Sequence, residues 1–285
     1  MCNRSSLAYG TPSHIQRAQY DVPSPNSGYF YRHDAETSYS QASSIFVALF
    51  GLTEVLDLYL QHLYRVDSDR PNHIVNLDFN LNRWVESLEV NVRRIITRGT
   101  HLDLPGAANL RLSYLSTQLL LRRLELEDDR DKEDIEPEML ANRYMQVRRI
   151  AEDIVLLVQE LQEEHLGDFW LPVSAFVFPS TTTFLLRCAL ETESSQAGLA
   201  QSSSLRLAWE LITALRHHRD RNGWDLGDIC LAQHAEIVER LMSPATSSEV
   251  GVTGLPLPEL QEMAVSDASF IDQLFPSLWD TLRNI

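Results

Sequence analysis

The densest run of metal-ligand side chains in the chain is D-D-R-D-K-E-D, from Asp128 to Asp134. Carboxylates at this density are the raw material of a divalent-cation site, because hard cations take oxygen ligands. The helical metal motif that such a run resembles is D-D-x-x-D, and here Lys132 stands where the third aspartate belongs. With no facing helix of carboxylates, the stretch from Glu125 to Glu138 reads as a solvated acidic loop, since like charges this close oppose compact packing. The histidines divide in the same way. His33 sits beside Asp34 without companion ligands, and His217 and His218 are neighbours that point in different directions on a helix. His234 interrupts the apolar stripe Leu226, Cys230, Ile237, Leu241, as a hydrogen-bonded boundary histidine or, alternatively, as a ligand or base. Cys188 and Cys230 read as small core residues. G-x-G-x-x-G, G-x-x-x-x-G-K-[ST], G-x-S-x-G and H-E-x-x-H are all missing from the sequence.

Composition narrows the function classes. The 285 residues carry 40 acidic against 24 basic side chains, a formal net charge of -16. Phosphate backbones and anionic membranes repel such a chain, so direct nucleic-acid binding and membrane-surface binding are both disfavoured. Three separated cysteines, Cys2, Cys188 and Cys230, supply neither a disulfide framework nor a C-x-x-C zinc site, which points to a reducing compartment. The N-terminus has no apolar core of a secretory signal.

The elements that must position these residues are helices. Residues 1–37, rich in Ser, Pro, Tyr, Asn and Gly, read as a mobile tail. From Ser38 onward the stripe Ile45, Leu49, Leu52, Leu56, Tyr59, Leu63 steps by three and four. "LDFNLNRWVESLEVNVRRIIT" is a second helix candidate, aligning Leu81, Trp84 and Leu88. "AANLRLSYLSTQLLLRRLE" carries leucines on every face and is expected to be buried nearly all round. Leu140, Tyr144, Val147, Ala151, Ile154, Val158 and Leu161 form a 4-3-4-3 stripe, either a three-heptad coiled coil or, more commonly, a bundle helix. "SSSLRLAWELITALRHHRDRNG" is a helix with serines before it and Gly223 behind it. Residues 243–256 read as a linker, and 257–285 as a tail with short helices near Pro258–Val265 and Ile271–Leu282. The fold class is all-α: an irregular multi-helix bundle over 38–242.

The central element is "DFWLPVSAFVFPSTTTFLLRCALE", Asp168 to Glu191. It has the length of a membrane span, but it holds two prolines, three consecutive threonines and Arg187, and no basic flank. Its 3.6 period gives a buried helix in a soluble bundle, kinked at Pro179, which removes the bond to the Ala175 carbonyl. Arg187 and Glu191, four apart, are placed to pair. Trp170, Phe176, Arg187 and Trp224 are candidates for the wall of an effector pocket beside this helix. Aromatic packing and one paired arginine account for the same four residues.

Three stretches together resemble the fungal-specific transcription factor domain, the regulatory middle region of fungal zinc binuclear cluster regulators: "SSIFVALFGLTEVLDLYLQHLY", "LRLSYLSTQLLLRR", and the Asp168–Glu191 stretch followed by "WDLGDICL". They span Ser43 to Leu241, about two thirds of the chain. The resemblance implies a nuclear regulatory domain controlling catabolic or secondary-metabolite genes, with a small-molecule effector or protein partner. It supplies no catalytic residues and no metal site in this chain. The family's zinc belongs to a six-cysteine DNA-binding cluster, which three cysteines cannot build. Two other readings stand beside it: an interaction scaffold that dimerises with a full-length relative through the Leu140–Leu161 helix, and an all-α enzyme using the acidic run or His234.

Overall fold

The computed structural model describes residues 21–30, 37–63, 73–130, 136–193 and 196–243. Among them are ten α-helices and no strand, so the fold is all-α. In chain order these are α1 (Thr37–Leu63), α2 (His73–Ser87), α3 (Val90–Arg98), α4 (Ala107–Arg130), α5 (Pro137–Glu160), α6 (Glu163–Leu166), α7 (Val177–Thr192), α8 (Gln196–Gln201), α9 (Ser203–Asn222) and α10 (Asp228–Met242). Two 3-10 turns, Ser27–Phe30 and Pro172–Phe176, precede α1 and α7.

The α4–α5 pair is the spine of the molecule. On one side α4 packs against α1, α2 and α3; on the other, α5 packs against α7 and α9, and α9 joins α10 and α7. The two sides share one continuous core. The all-round leucine pattern explains why α4 can sit between both: Leu110, Leu112, Leu115, Leu119 and Leu121 are all buried, on several faces of one helix. The heptad stripe of α5 is used inside the chain as well, with Val147, Ala151, Ile154 and Val158 fully covered. In the described fold that stripe serves as a bundle face, with Leu140 and Tyr144 at its start half-buried.

Three expectations are corrected. The candidate spanning Leu77 to Thr97 is two helices, broken between Ser87 and Val90. The Arg93 guanidinium reaches back to the carbonyls of Val85, Glu86 and Leu88. It satisfies the orphan acceptors that a helix end exposes, so the break costs little. The acidic run begins as helix, not loop: α4 continues to Arg130. Glu125 and Asp129, four apart, turn inward and are buried, while Arg143 of α5 grips both, at 3.0 and 2.7 Å. Arg122 adds bonds to Glu125 and to Asp78 of α2. Opposite charges on three helices override the repulsion along the run. Finally, the interruption expected at Pro179 falls between Phe176 and Val177, where the 3-10 turn gives way to α7. Pro179 lies in the first turn of α7, where a missing N–H removes no bond.

Ser27–Phe30, within the expected tail, form a turn whose Phe30 ring meets Phe46 of α1 edge-on at 5.7 Å. The helices expected near Pro258–Val265 and Ile271–Leu282, and the 243–256 linker beyond Ser243, lie outside the described residues. Two segments, Tyr39–Gln61 and Pro172–Thr192, are long and apolar enough to cross a membrane by length and composition alone. The second is 67% buried within the bundle, which is how a core helix passes the same test.

Gly223 closes α9 in the left-handed region as expected, at φ 66°. Ser202 occupies the N-cap of α9 without a capping bond; Ser203 instead accepts from Arg148 of α5. Gly99 closes α3 in the same conformation, at φ 68°. The two sites differ in surroundings: a Cβ on Gly99 would lie 3.0 Å from the Arg111 guanidinium carbon, whereas one on Gly223 meets nothing within 4 Å. Gly223→Ala is expected to cost about 1 kcal/mol from backbone strain alone. Gly99→Ala is expected to cost more, because Arg111 bonds the Ile95 and Ile96 carbonyls and must shift. Paired urea titrations giving equal losses would contradict this.

Candidate functional site

The Leu110–Arg123, Asp168–Glu191 and Trp224–Leu231 segments meet where α4, the Pro172–Phe176 turn, α7 and the start of α10 come together. Asn109, at the head of α4 and 1% exposed, accepts the Leu171 N–H at 3.3 Å and the Ser174 hydroxyl at 3.2 Å. Asp168 accepts the Gly106 N–H just before the same helix. At the other end of α4, Arg123 donates to the Ser180 hydroxyl of α7 at 2.8 Å. One helix thus fixes both the turn and the helix that follows it.

Trp224 fills the space between these elements. Its ring lies edge-on to Trp170 at 5.3 Å, to Phe178 at 5.9 Å and to His218 at 5.8 Å. Trp170 donates its indole N–H to the His165 carbonyl at 3.1 Å. The ring separations are those of packed aromatic pairs, so the cluster is filled rather than hollow. Of the four predicted wall residues, the structure brings together Trp170 and Trp224. Phe176 is half-buried at the end of the 3-10 turn. Arg187, eleven residues further on, is about 16 Å along the helix axis and pairs with Glu191 at 2.8 Å, as its spacing predicted. Phe178 and His218 complete the cluster instead. The divergence of adjacent helical side chains was the available signal for His218: it is 5% exposed while His217 faces solvent.

The threonine run is the polar half of the junction. Thr181 and Thr182 back-bond to the carbonyls of Val177 and Phe178. Thr182 also meets the Cys230 thiol at 3.3 Å, and Thr183 meets His234 Nε2 at 3.0 Å, so α7 and α10 are joined by two buried polar contacts. His234 is thus the hydrogen-bonded histidine of the sequence reading. Burial pushes the Cys188 and Cys230 thiols up to about 12. Both therefore stay protonated near neutral pH. No group of three or more His, Cys, Asp or Glu is placed to hold a metal ion among the described residues. Asp129, the buried aspartate of the acidic run, is held by Arg143.

Burial lowers the pKa of both His218 and His234 from the ordinary 6.5. For His218 the geometry shows why. Nε2–H donates to the Val158 carbonyl at 2.7 Å, and Nδ1 is buried with no partner, so a second proton would have no acceptor. The unfolded chain therefore binds protons first as pH falls. Their contribution is complete above pH 6.5 and is lost progressively below it, toward the lowered folded-state values. The urea midpoint is expected to be level from pH 7.5 to 6.5 and to drop by pH 5. His218→Gln should reduce that slope; an unchanged slope would remove His218 from the account.

No family model, curated protein or solved structure matches the chain.

Proposed function

We propose that this chain is the regulatory domain of a fungal transcription factor controlling metabolic genes, nuclear in location and without catalysis of its own. One observation supports the reading above others. Two of the three resembling stretches, remote in sequence, fold into one block: "LRLSYLSTQLLLRR" bonds the Asp168–Glu191 part of the other through Arg123 and Ser180. That stretch holds "WDLGDICL" through Trp170, Phe178 and Thr182. The remaining stretch packs on α4 through its residues 43–63, which belong to α1. A scaffold that heterodimerises with a full-length regulator is the second reading, and the partly exposed apolar side chains Tyr39, Phe46 and Leu58 of α1 favour it over an enzyme.

The test is a tether. The chain is fused to a heterologous DNA-binding domain and a reporter is read in a fungal host across carbon and nitrogen sources. Reporter output is expected to change with the fusion and with nutrient. In parallel, the chain alone should show no sequence-specific shift of genomic fragments at physiological salt, as its net charge of -16 requires. A well-expressed fusion that leaves the reporter flat under every condition overturns the regulatory reading.

A further inference from the structure

The exposed side of α9 carries an open depression of about 410 Å³ lined by Thr213, Arg216, His217, Asp220 and Arg221. It is a local basic feature on a chain of net charge -16. Arg216 is already paired with Glu239 of α10 at 2.6 Å, and Asp220 with Arg219 at 3.2 Å. Arg221 and His217 face the depression with no carboxylate partner among the described residues. One turn before Thr213, on the same side of the helix, Trp209 is 40% exposed. The face is therefore aromatic at one end and cationic at the other.

The chain itself contains a segment of the opposite character. Residues 244–285 carry six carboxylates, from Glu249 to Asp280, against one cation, Arg283. Residues 270–280 interleave Phe270, Phe275 and Trp279 with Asp272 and Asp280. The point of departure is also set. Ser243 lies one helical turn beyond Glu239, whose carbonyl accepts both its N–H and its hydroxyl, and Glu239 is the residue that holds Arg216 at the rim. The segment leaves the fold beside the depression, so docking there is intramolecular, at an effective concentration on the order of millimolar.

We infer that the α9 face is the docking site of this chain's own acidic, aromatic segment 244–285. In this arrangement the carboxylates face Arg221 and His217, and an aromatic side chain faces Trp209. Because the cations are solvent-exposed, the contact is salt-sensitive and reversible. This inference does not depend on the regulatory reading.

The experiment is amide hydrogen exchange by mass spectrometry on the full chain. Peptides from 257–285 are expected to exchange more slowly than the same synthetic peptides free in solution. His217→Glu with Arg221→Glu, both at exposed positions lining the depression, is expected to speed that exchange about fivefold. Raising salt should do the same, while peptides of α4 and α7 stay unchanged and report an intact fold. Free-peptide exchange rates in the unmodified chain overturn the inference. So does protection that ignores both charge reversal and salt, which would place the segment elsewhere. Protection that grows with protein concentration, with a dimeric mass by light scattering, overturns the intramolecular contact in favour of a second copy.

Discussion

Trp224→Ala is expected to remove about 3–5 kcal/mol of stability, the largest loss of any single change in the bundle. Trp224 is 6% exposed and is the common partner of Trp170, Phe178 and His218. These rings come from four places: the loop before the 3-10 turn, α7, α9 and the loop after α9. Truncation leaves a cavity that the neighbours cannot readily close, because two of the three rings are tied to backbone carbonyls. Trp170 is tied to the His165 carbonyl and His218 to the Val158 carbonyl. Domains of this size have net stabilities of roughly 5–15 kcal/mol, so the variant stands near the edge of folding. Trp224→Phe, which keeps a ring in place, should lose far less. Urea unfolding followed by far-UV circular dichroism separates the two, since the fluorescence of both is altered. A loss below about 1 kcal/mol for the alanine variant would mean that the cluster is not packed as described.

The elements that periodicity could reveal are those whose burial is decided by apolar side chains. The leucines on every face of α4 announce a helix covered on all sides, and the stripe of α5 announces a helix with one covered side. Both behave as their patterns dictate, because area removed from water dominates there. The departures occur where charge or backbone chemistry decides. Nothing in the spacing of Leu81, Trp84 and Leu88 foretells that Arg93 will fold back on three carbonyls and end α2. Pro179 marks the interruption before α7 correctly in kind but not in place, since proline is tolerated in a first turn. The junction was half legible. Trp170 stands just before a proline turn and Trp224 just after the glycine that closes α9, which marks both as packing residues at element ends. Phe178 and His218 owe their place to the rotation of α7 and α9, which depends on how the helices pack against α5 rather than on either sequence alone.

The acidic run is where local reasoning and tertiary structure diverge most, and it carries the second large effect. Arg143→Met is expected to cost about 2 kcal/mol, through loss of compensation rather than loss of packing. Glu125 and Asp129 are 8% and 6% exposed, and Arg143 bonds both. Arg122 stays on Glu125 at 2.7 Å, so Glu125 keeps one of its two arginines. Arg143 is itself 30% exposed, which admits water to the site and places the loss below the 3–5 kcal/mol of a fully buried pair. The diagnostic comparison is with a second substitution. Asp129→Asn on the Arg143→Met background should recover part of the loss, because the neutral amide needs no counter-charge. Asp129→Asn alone should destabilise, because it weakens a bond that Arg143 makes. A double-mutant cycle with a coupling of about 1 kcal/mol or more is the expected outcome. Simple additivity would mean that the run is solvated after all, as its composition alone implies, and that α4 and α5 are held together by their apolar faces without the arginine between them.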